Sequence, residues 1–347
     1  MSGHGGEFGL IERLAARLEP LEEGLGIGDD AAAWQPTPGR VVVATTDMLV
    51  EGIHFRLDWI SPRDLGWKAL AVNLSDLAAM GATPGHALVS IALLREQGDL
   101  AESIYEGMSA LARETGTRIV GGDTVRSAGP LTVNVALVGE ADPERLLRRS
   151  GARPGDLVVV TGTVGASAAG LELLLAADGT EGGAADAEAL VDRAAAIAAT
   201  AADPGTSPLI AAHHRPIPQL AVGAALAGAG VRCAIDVSDG VASEAWHLAR
   251  SSGVEIEIDC GRLPLAGVAV ARFGRERARD LALTGGEDYQ LLFTVPEPEW
   301  PAVRAALPPA AVTTVIGRVG ALRVPGRATF RDGAATLDLE EPGYVAF

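Results

Sequence analysis

The sequence predicts a two-domain α/β protein of the α+β type, on three observations. With 347 residues the chain has room for two cores rather than one. Short β-branched runs alternate with longer helix-periodic segments from one end to the other. Near the middle a charged turn rich in glycine and proline, RRSGARPGD (148–156), interrupts the alternation. It marks the expected boundary between residues 1–147 and 148–347.

In the first half, Phe8, Ile11, Leu14, Ala15 and Leu18 recur at helical spacing and make 7–19 an amphipathic helix. RVVVATT (40–46) is a strand by its β-branched run. DLGWKALAVNLSDLAAMG (64–81) is a nearly all-apolar helix, stopped by Gly81 and Pro84. HALVSIALL (86–94) is a strand and DLAESIYEGMSALARETG (99–116) a helix closed by glycine. TRIVGGD and LTVNVALVGE supply two further strands. In the second half the order is strand LVVVTG, helices ASAAGLELLLAA and PQLAVGAALAGAG, strand CAID, helix SDGVASEAWHLARSSG and strand VEIEID. A looped stretch, LALTGGEDYQLLFTV, a short helix near 299–307 and closing strands follow. Residues 177–206, rich in Ala, Gly and Asp, read as a helical or loop insertion without chemistry of its own.

Composition removes several classes of function. A formal charge of −17 opposes nonspecific binding to nucleic acid or anionic membrane. No apolar run reaches the roughly 18–20 residues of a membrane-spanning helix, and MSGHGGEFGLIERL lacks the basic-then-apolar order of a signal peptide. Cys233 and Cys260 lie far apart without metal-ligand spacing, as expected of reduced thiols in a cytoplasmic protein. Lys68 is the single lysine and GxxxxGK[ST] is absent, so a P-loop is excluded. The third glycine of GLGIG is misplaced for the dinucleotide fingerprint, and a helix precedes it where a strand is required. An anionic substrate must therefore be met by arginines, backbone amides or metal ions.

Acidic residues follow apolar runs or glycine turns repeatedly: GIGDD (Asp29, Asp30), VVVATTD (Asp47), IVGGD (Asp123), CAIDVSD (Asp236, Asp239) and LTGGED (Glu287, Asp288). A turn role would explain any one of them. So many in one chain, each expected at a strand end, point instead to the edge of an α/β sheet where ligands bind. Asp76 lies among Leu70, Val72, Leu74, Leu77, Ala78 and Met80 on a helix. There a carboxylate is costly unless it is paired or binds a cation. Lys68 is turned about 80° away round the helix, and a salt bridge to a distant arginine stays open as the alternative. The surrounding donors are carboxylates and hydroxyls (Thr45, Thr46, Ser238), a hard oxygen set suited to Mg²⁺, Mn²⁺ or Ca²⁺. Several acidic groups without nearby basic ones match two or more Mg²⁺ ions bridging phosphate oxygens, as in phosphoryl transfer. Gly121–Gly122 and Gly285–Gly286 allow close backbone approach to a ligand, and Ser238 and Asp239 are expected to open a helix. His213 and His214, adjacent in HHRPIPQL, read as part of a helix-entry loop and stay outside the site.

GEFGLIERL, GIGDDAA, TTDMLVEGIHF, KALAVNLSDLAAMGA, IVGGDT, RSGARPGD, DVSDG and GGEDYQLLF, in this order, closely resemble the thiamine-monophosphate kinase family. That family falls within the aminoimidazole ribonucleotide synthetase-like superfamily. The resemblance implies an ATP- and Mg²⁺-dependent kinase converting thiamine monophosphate to thiamine diphosphate. It also implies two α/β domains: an N-terminal one that binds ATP and Mg²⁺ and pairs in a homodimer, and a C-terminal one that completes the nucleotide and substrate site. By the same resemblance Asp30, Thr45, Thr46, Asp47, Asp76, Asp123, Asp236 and Asp239 form the metal shell. Tyr105, Gly122, Asp123, Arg149 and Ser238 hold ATP, while His54, Glu287 and Tyr344 face thiamine monophosphate. The family's C-terminal Gly-aromatic-Asp-His-Phe departs here to GYVAF. No proton-transfer residue is implied. Another ATP-using enzyme of the superfamily, or a sensor that binds nucleotide and metal without turnover, remains the alternative.

Overall fold

A computed structural model describes residues 7–19, 24–28, 30–94, 98–179, 187–320 and 326–339, in two units. One unit joins Met1–Leu77 with Ala82–Pro143, and the other joins Ala78–Gly81 with Glu144–Phe347.

The first unit runs α1 (Glu7–Ala15), β1 (Val41–Val50), α2 (Pro62–Ala79), β2 (Thr83–Leu93), α3 (Gly98–Thr115), β3 (Arg118–Arg126) and β4 (Thr132–Ala141). Its four strands form one sheet in the order β1-β4-β2-β3, antiparallel except for the parallel β2–β3 pair. Alternate residues of β4 are buried, so one face is covered and the other is open, as in half-buried antiparallel sheets. The covered face carries Val89, Val133, Val135 and Leu137. The open face carries four exposed large apolar side chains, Val42, Met48, Leu88 and Val125. Helices α2 and α3 meet backbone to backbone. A Cβ on Gly66 would overlap the Ile104 carbonyl oxygen, and one on Gly107 would overlap that of Arg63. Lys68 is fully buried on α2.

The second unit adds β5 (Asp156–Thr161), α4 (Ala166–Asp178), α5 (Ala187–Ala202), α6 (Ser207–His214), α7 (Leu220–Gly228), β6 (Cys233–Asp236), α8 (Val241–Ser252) and β7 (Glu255–Asp259). It continues with α9 (Gly267–Phe273), α10 (Arg275–Thr284), β8 (Leu291–Pro296), α11 (Trp300–Ala306), β9 (Thr313–Gly320), β10 (Arg327–Asp332) and β11 (Ala335–Leu337). Among the described residues its sheet has seven strands in the order β11-β10-β7-β9-β5-β8-β6. Every residue of β5 and β6 is buried. Val158, Val160 and Ile235 enter one core, and Leu157, Val159 and Ala234 enter another, so apolar residues cover both faces of this sheet.

Three expectations change. Asp47 and Asp123 lie inside β1 and β3 rather than at strand ends, because both strands continue past the apolar run that defines them in sequence. LALTGGEDYQLLFTV is not one loop: it holds the end of α10, a glycine turn and β8 up to its last residue but one. His213 and His214 close α6 and are buried, because the Pro-rich segment that ends the helix starts only after Arg215. Gly107→Ala is expected to lower the thermal midpoint. The overpacking cost of about 1–3 kcal/mol or more outweighs the roughly 1 kcal/mol gained in helix propensity. Differential scanning calorimetry measures the shift.

Candidate active site

The first unit's candidate residues are placed by β1 and the turns at its ends. Upstream, the GIGDDAA segment is pinched at its base by paired backbone hydrogen bonds between Leu25 and Ala33, 2.7 and 2.9 Å long. Asp30 lies exposed within this loop, whereas Asp29 lies outside the described residues. Thr45 and Asp47 alternate onto the covered face of β1, toward α2, where the Thr45 hydroxyl donates to the Asp76 carboxylate. Burial, reinforced by the charge of Asp76, pushes the Asp47 carboxyl up to about 6 from 3.8. Two carboxylates and a hydroxyl thus share a half-buried place, and oxygens of this kind fit a hard divalent cation.

Thr46 and Asp123 point to the opposite face. Strand register aligns Asp123 with Ser90, Ser90 with Asn134 and Asn134 with Met48, and the Thr46 hydroxyl donates to the Asn134 side chain at 3.2 Å. Gly122 passes so close to β2 that a Cβ would overlap the Val89 carbonyl oxygen. Beyond β1, the Val50 amide donates to His54 Nδ1 at 3.1 Å. His54 therefore accepts at Nδ1, which leaves Nε2 to carry the proton and act as donor. Tyr105 is buried on α3, and burial holds its phenol protonated.

In the second unit β6 delivers Asp236, 3% exposed, into a turn that precedes α8. Ser238 and Asp239 do not open that helix. Gly240 is its N-cap, with a positive φ of 100°, because a Cβ there would crowd the Leu283 and Gly285 carbonyl oxygens at 2.6 and 2.8 Å. Glu244, one turn into α8, accepts from the Asp239 amide at 3.0 Å and the Ser238 hydroxyl at 3.4 Å. Burial pushes its carboxyl up to about 8; the charges of Asp236 and Asp239 add to the rise, while the Asp239 amide and Arg149 oppose it. Arg149 runs beside β6, its carbonyl facing Cys233 Sγ at 3.5 Å. Asp236, Ser238, Asp239 and Arg149 therefore gather around a carboxylate that sequence reasoning missed. Its only signal was a glutamate six residues after Ser238.

The segment after Gly285–Gly286 lies against that turn. The Glu287 amide donates to the Ser238 carbonyl (2.7 Å), Tyr289 to Val237 (2.8 Å), and Val237 to Gln290 (2.7 Å). A Cβ on Gly286 would overlap the Ser238 carbonyl oxygen. Asp288 turns inward and accepts from the Gly165 and Ser167 amides (2.6 and 3.2 Å), so its carboxylate sits at the N-terminus of α4. Burial pushes that carboxyl up to about 6, against the lowering effect of those amides. The Glu287 carboxylate, 29% exposed, meets His213 Nδ1 at 3.1 Å. Tyr344 lies outside the described residues. Among the described residues no three His, Cys, Asp or Glu side chains close into a metal cage, and each unit carries a partial oxygen set.

Comparison with known proteins bears on these partial sets. Residues 28–141 match the AIR synthase related protein, N-terminal domain, and residues 153–325 the corresponding C-terminal domain. The thiamine-monophosphate kinase of Bacillus subtilis strain 168 is 35% identical over 346 residues, covering 98% of this chain and 99% of that protein. The chain belongs to the thiamine-monophosphate kinase family. The Escherichia coli K12 thiamine-monophosphate kinase is 39% identical over 350 residues, covering 99% and 98%. Among solved structures, thiamine-monophosphate kinase from Stenotrophomonas maltophilia K279a superposes with a TM-score of 0.78 at 35% identity, covering 95% of this chain and 98% of that one. AaThiL complexed with AMPPCP and TMP gives 0.70 at 34% identity, covering 95% of each. The hydrogenase maturation protein HypE, 20% identical, shares the fold with a TM-score of 0.73.

Because the folded pKa of Asp47 lies above its usual value, its ionised form is the strained one. Its contribution to stability is intact below about pH 4 and lost as pH rises through 6. Without divalent cations, Asp47→Asn should therefore raise the thermal midpoint at pH 8 and leave it unchanged near pH 4. Thermal melts across pH test this.

Proposed function

We propose that this chain is an ATP-dependent kinase that phosphorylates thiamine monophosphate to thiamine diphosphate by in-line transfer. The carrying observation is the near-full-length relationship to thiamine-monophosphate kinases, one of them solved with AMPPCP and TMP. The acceptor is a phosphate monoester whose second pKa is about 6, so it is largely dianionic at neutral pH and needs no general base. The chain's task is then to bind, align and desolvate two anionic partners.

In this reading Asp47, Asp76 and Thr45, with Asp30, Thr46, Asp123, Asp236 and Asp239, hold several Mg²⁺ ions. When bound, Mg²⁺ supplies positive charge among these carboxylates. The close carboxylates of Asp47 and Asp76 support this assignment, since their mutual repulsion is relieved by a cation between them. Tyr105, Gly122, Asp123, Arg149 and Ser238 bind ATP. Arg149 offers the guanidinium and Gly122 the bare backbone that phosphates require. His54 presents Nε2–H to the acceptor, Glu287 its exposed carboxylate edge, and Tyr344 an aromatic ring.

The same proposal assigns residues 1–147 to ATP, Mg²⁺ and dimerisation and 148–347 to completing the site. The open sheet face bearing Val42, Met48, Leu88 and Val125 supports pairing with a second copy, because a monomer leaves that apolar patch in water. Among the described residues no helix is long and apolar enough to cross a membrane. A cytoplasmic location completes the proposal.

A coupled assay should show thiamine diphosphate forming only with ATP and a divalent cation, and chelation should abolish it. Asp47→Asn and Asp123→Asn should each lower kcat by on the order of a hundredfold or more, since a catalytic metal supplies several kcal/mol. Near-native kcat in either variant at saturating Mg²⁺ would sink the multi-metal reading. Parallel assays with other phosphate acceptors separate this activity from its superfamily neighbours.

A further inference from the structure

His213 lies outside every role assigned above, yet it is the buried neighbour of one assigned residue. It lies in the last turn of α6, is 7% exposed, and places Nδ1 3.1 Å from Glu287 Oε2 and 3.1 Å from the hydroxyl of Ser167. Ser167, 1% exposed, sits in the first turn of α4. The same turn offers its amides to Asp288, so α4 and α6 together grip consecutive carboxylates. The two helices pack closely: a Cβ on Gly170 of α4 would overlap the Leu209 carbonyl oxygen of α6.

The contact fixes the tautomer. A carboxylate oxygen and an unprotonated ring nitrogen are both acceptors and would repel at 3.1 Å. Nδ1 therefore carries a proton, which it donates to Glu287 and shares with the Ser167 oxygen. The backbone at Glu287 has φ of 67°, a conformation a non-glycine residue keeps only when its surroundings impose it. The amide bond to Ser238 holds the main chain, and His213 holds the side chain. Imidazole meets Oε2 of that carboxylate, and 29% of the side chain is exposed.

We propose that His213 is a positioning residue that aims the Glu287 carboxylate at the thiamine moiety of thiamine monophosphate, whose thiazolium carries the positive charge and whose aminopyrimidine carries the N–H donors. This rests on the reading of Glu287 as an acceptor-facing residue. Without His213 the carboxylate regains rotamer freedom, and binding the acceptor must restrict it again.

The test is steady-state kinetics with each substrate varied separately. His213→Ala should raise KM for thiamine monophosphate about tenfold or more, the scale of one hydrogen bond to a charged group, and change KM for ATP less than about twofold. His213→Asn, whose amide nitrogen takes the place of Nδ1, should recover most of the loss. His213→Gln, whose amide falls at the Nε2 position, should not. In a Glu287→Ala background, His213→Ala should add little further, because the group it positions is gone. Equal rises in both KM values, full additivity with Glu287→Ala, or Gln serving as well as Asn would each overturn the proposal. If Glu287→Ala alone leaves KM for thiamine monophosphate unchanged, the reading of Glu287 itself fails. If Glu287→Ala raises that KM and the His213 variants do not, only the positioning role fails.

Discussion

Contact between bare backbones is the constraint on which both units depend. In the first unit α2 and α3 touch through Gly66 and Gly107, and β3 closes on β2 at Gly122. In the second, Gly286 lies on the Ser238 carbonyl and Gly240 under those of Leu283 and Gly285. A side chain at any of these positions would separate the elements that carry Asp76, Asp123, Ser238 and Glu287. Asp47 and Asp76 repel and do not hold themselves together, so the scaffold has to keep them near each other.

Burial does more than neighbouring charge to tune the titrations. Asp47 and Glu244 are raised chiefly by burial, and each has an acidic residue adding to the effect. Arg149 is the one guanidinium that opposes the shift at Glu244. Such an arrangement stores unfavourable electrostatic free energy in the folded protein when the groups are ionised.

Much of this was legible in sequence, and the limits have physical causes. Alternating β-branched and helix-periodic runs gave most elements, because burial imposes those periods directly. Asp76 could be singled out because a carboxylate ringed by Leu, Val and Ala on a helix needs a partner, and the Thr45 hydroxyl is one. The division of Thr45 and Asp47 from Thr46 and Asp123 between sheet faces was hidden. It depends on register with β4 and β2, which no local pattern encodes. Glu244, the inward turn of Asp288 and the contact of His213 were hidden for a related reason. Glu244 is defined by a turn it reaches back to, and the other two by residues more than 70 positions away. Adjacent histidines in a Pro-rich context gave no sign that one would face Glu287.

The lone lysine has a consequence of another kind. Lys68 is fully buried in α2, and all other basic side chains apart from histidine are arginines. Acylating reagents and lysine-modifying enzymes therefore find no accessible side-chain amine on the folded chain. Modification at Lys68 requires the first unit to open, so the rate of its labelling is a clock for that opening, readable by mass at a single position.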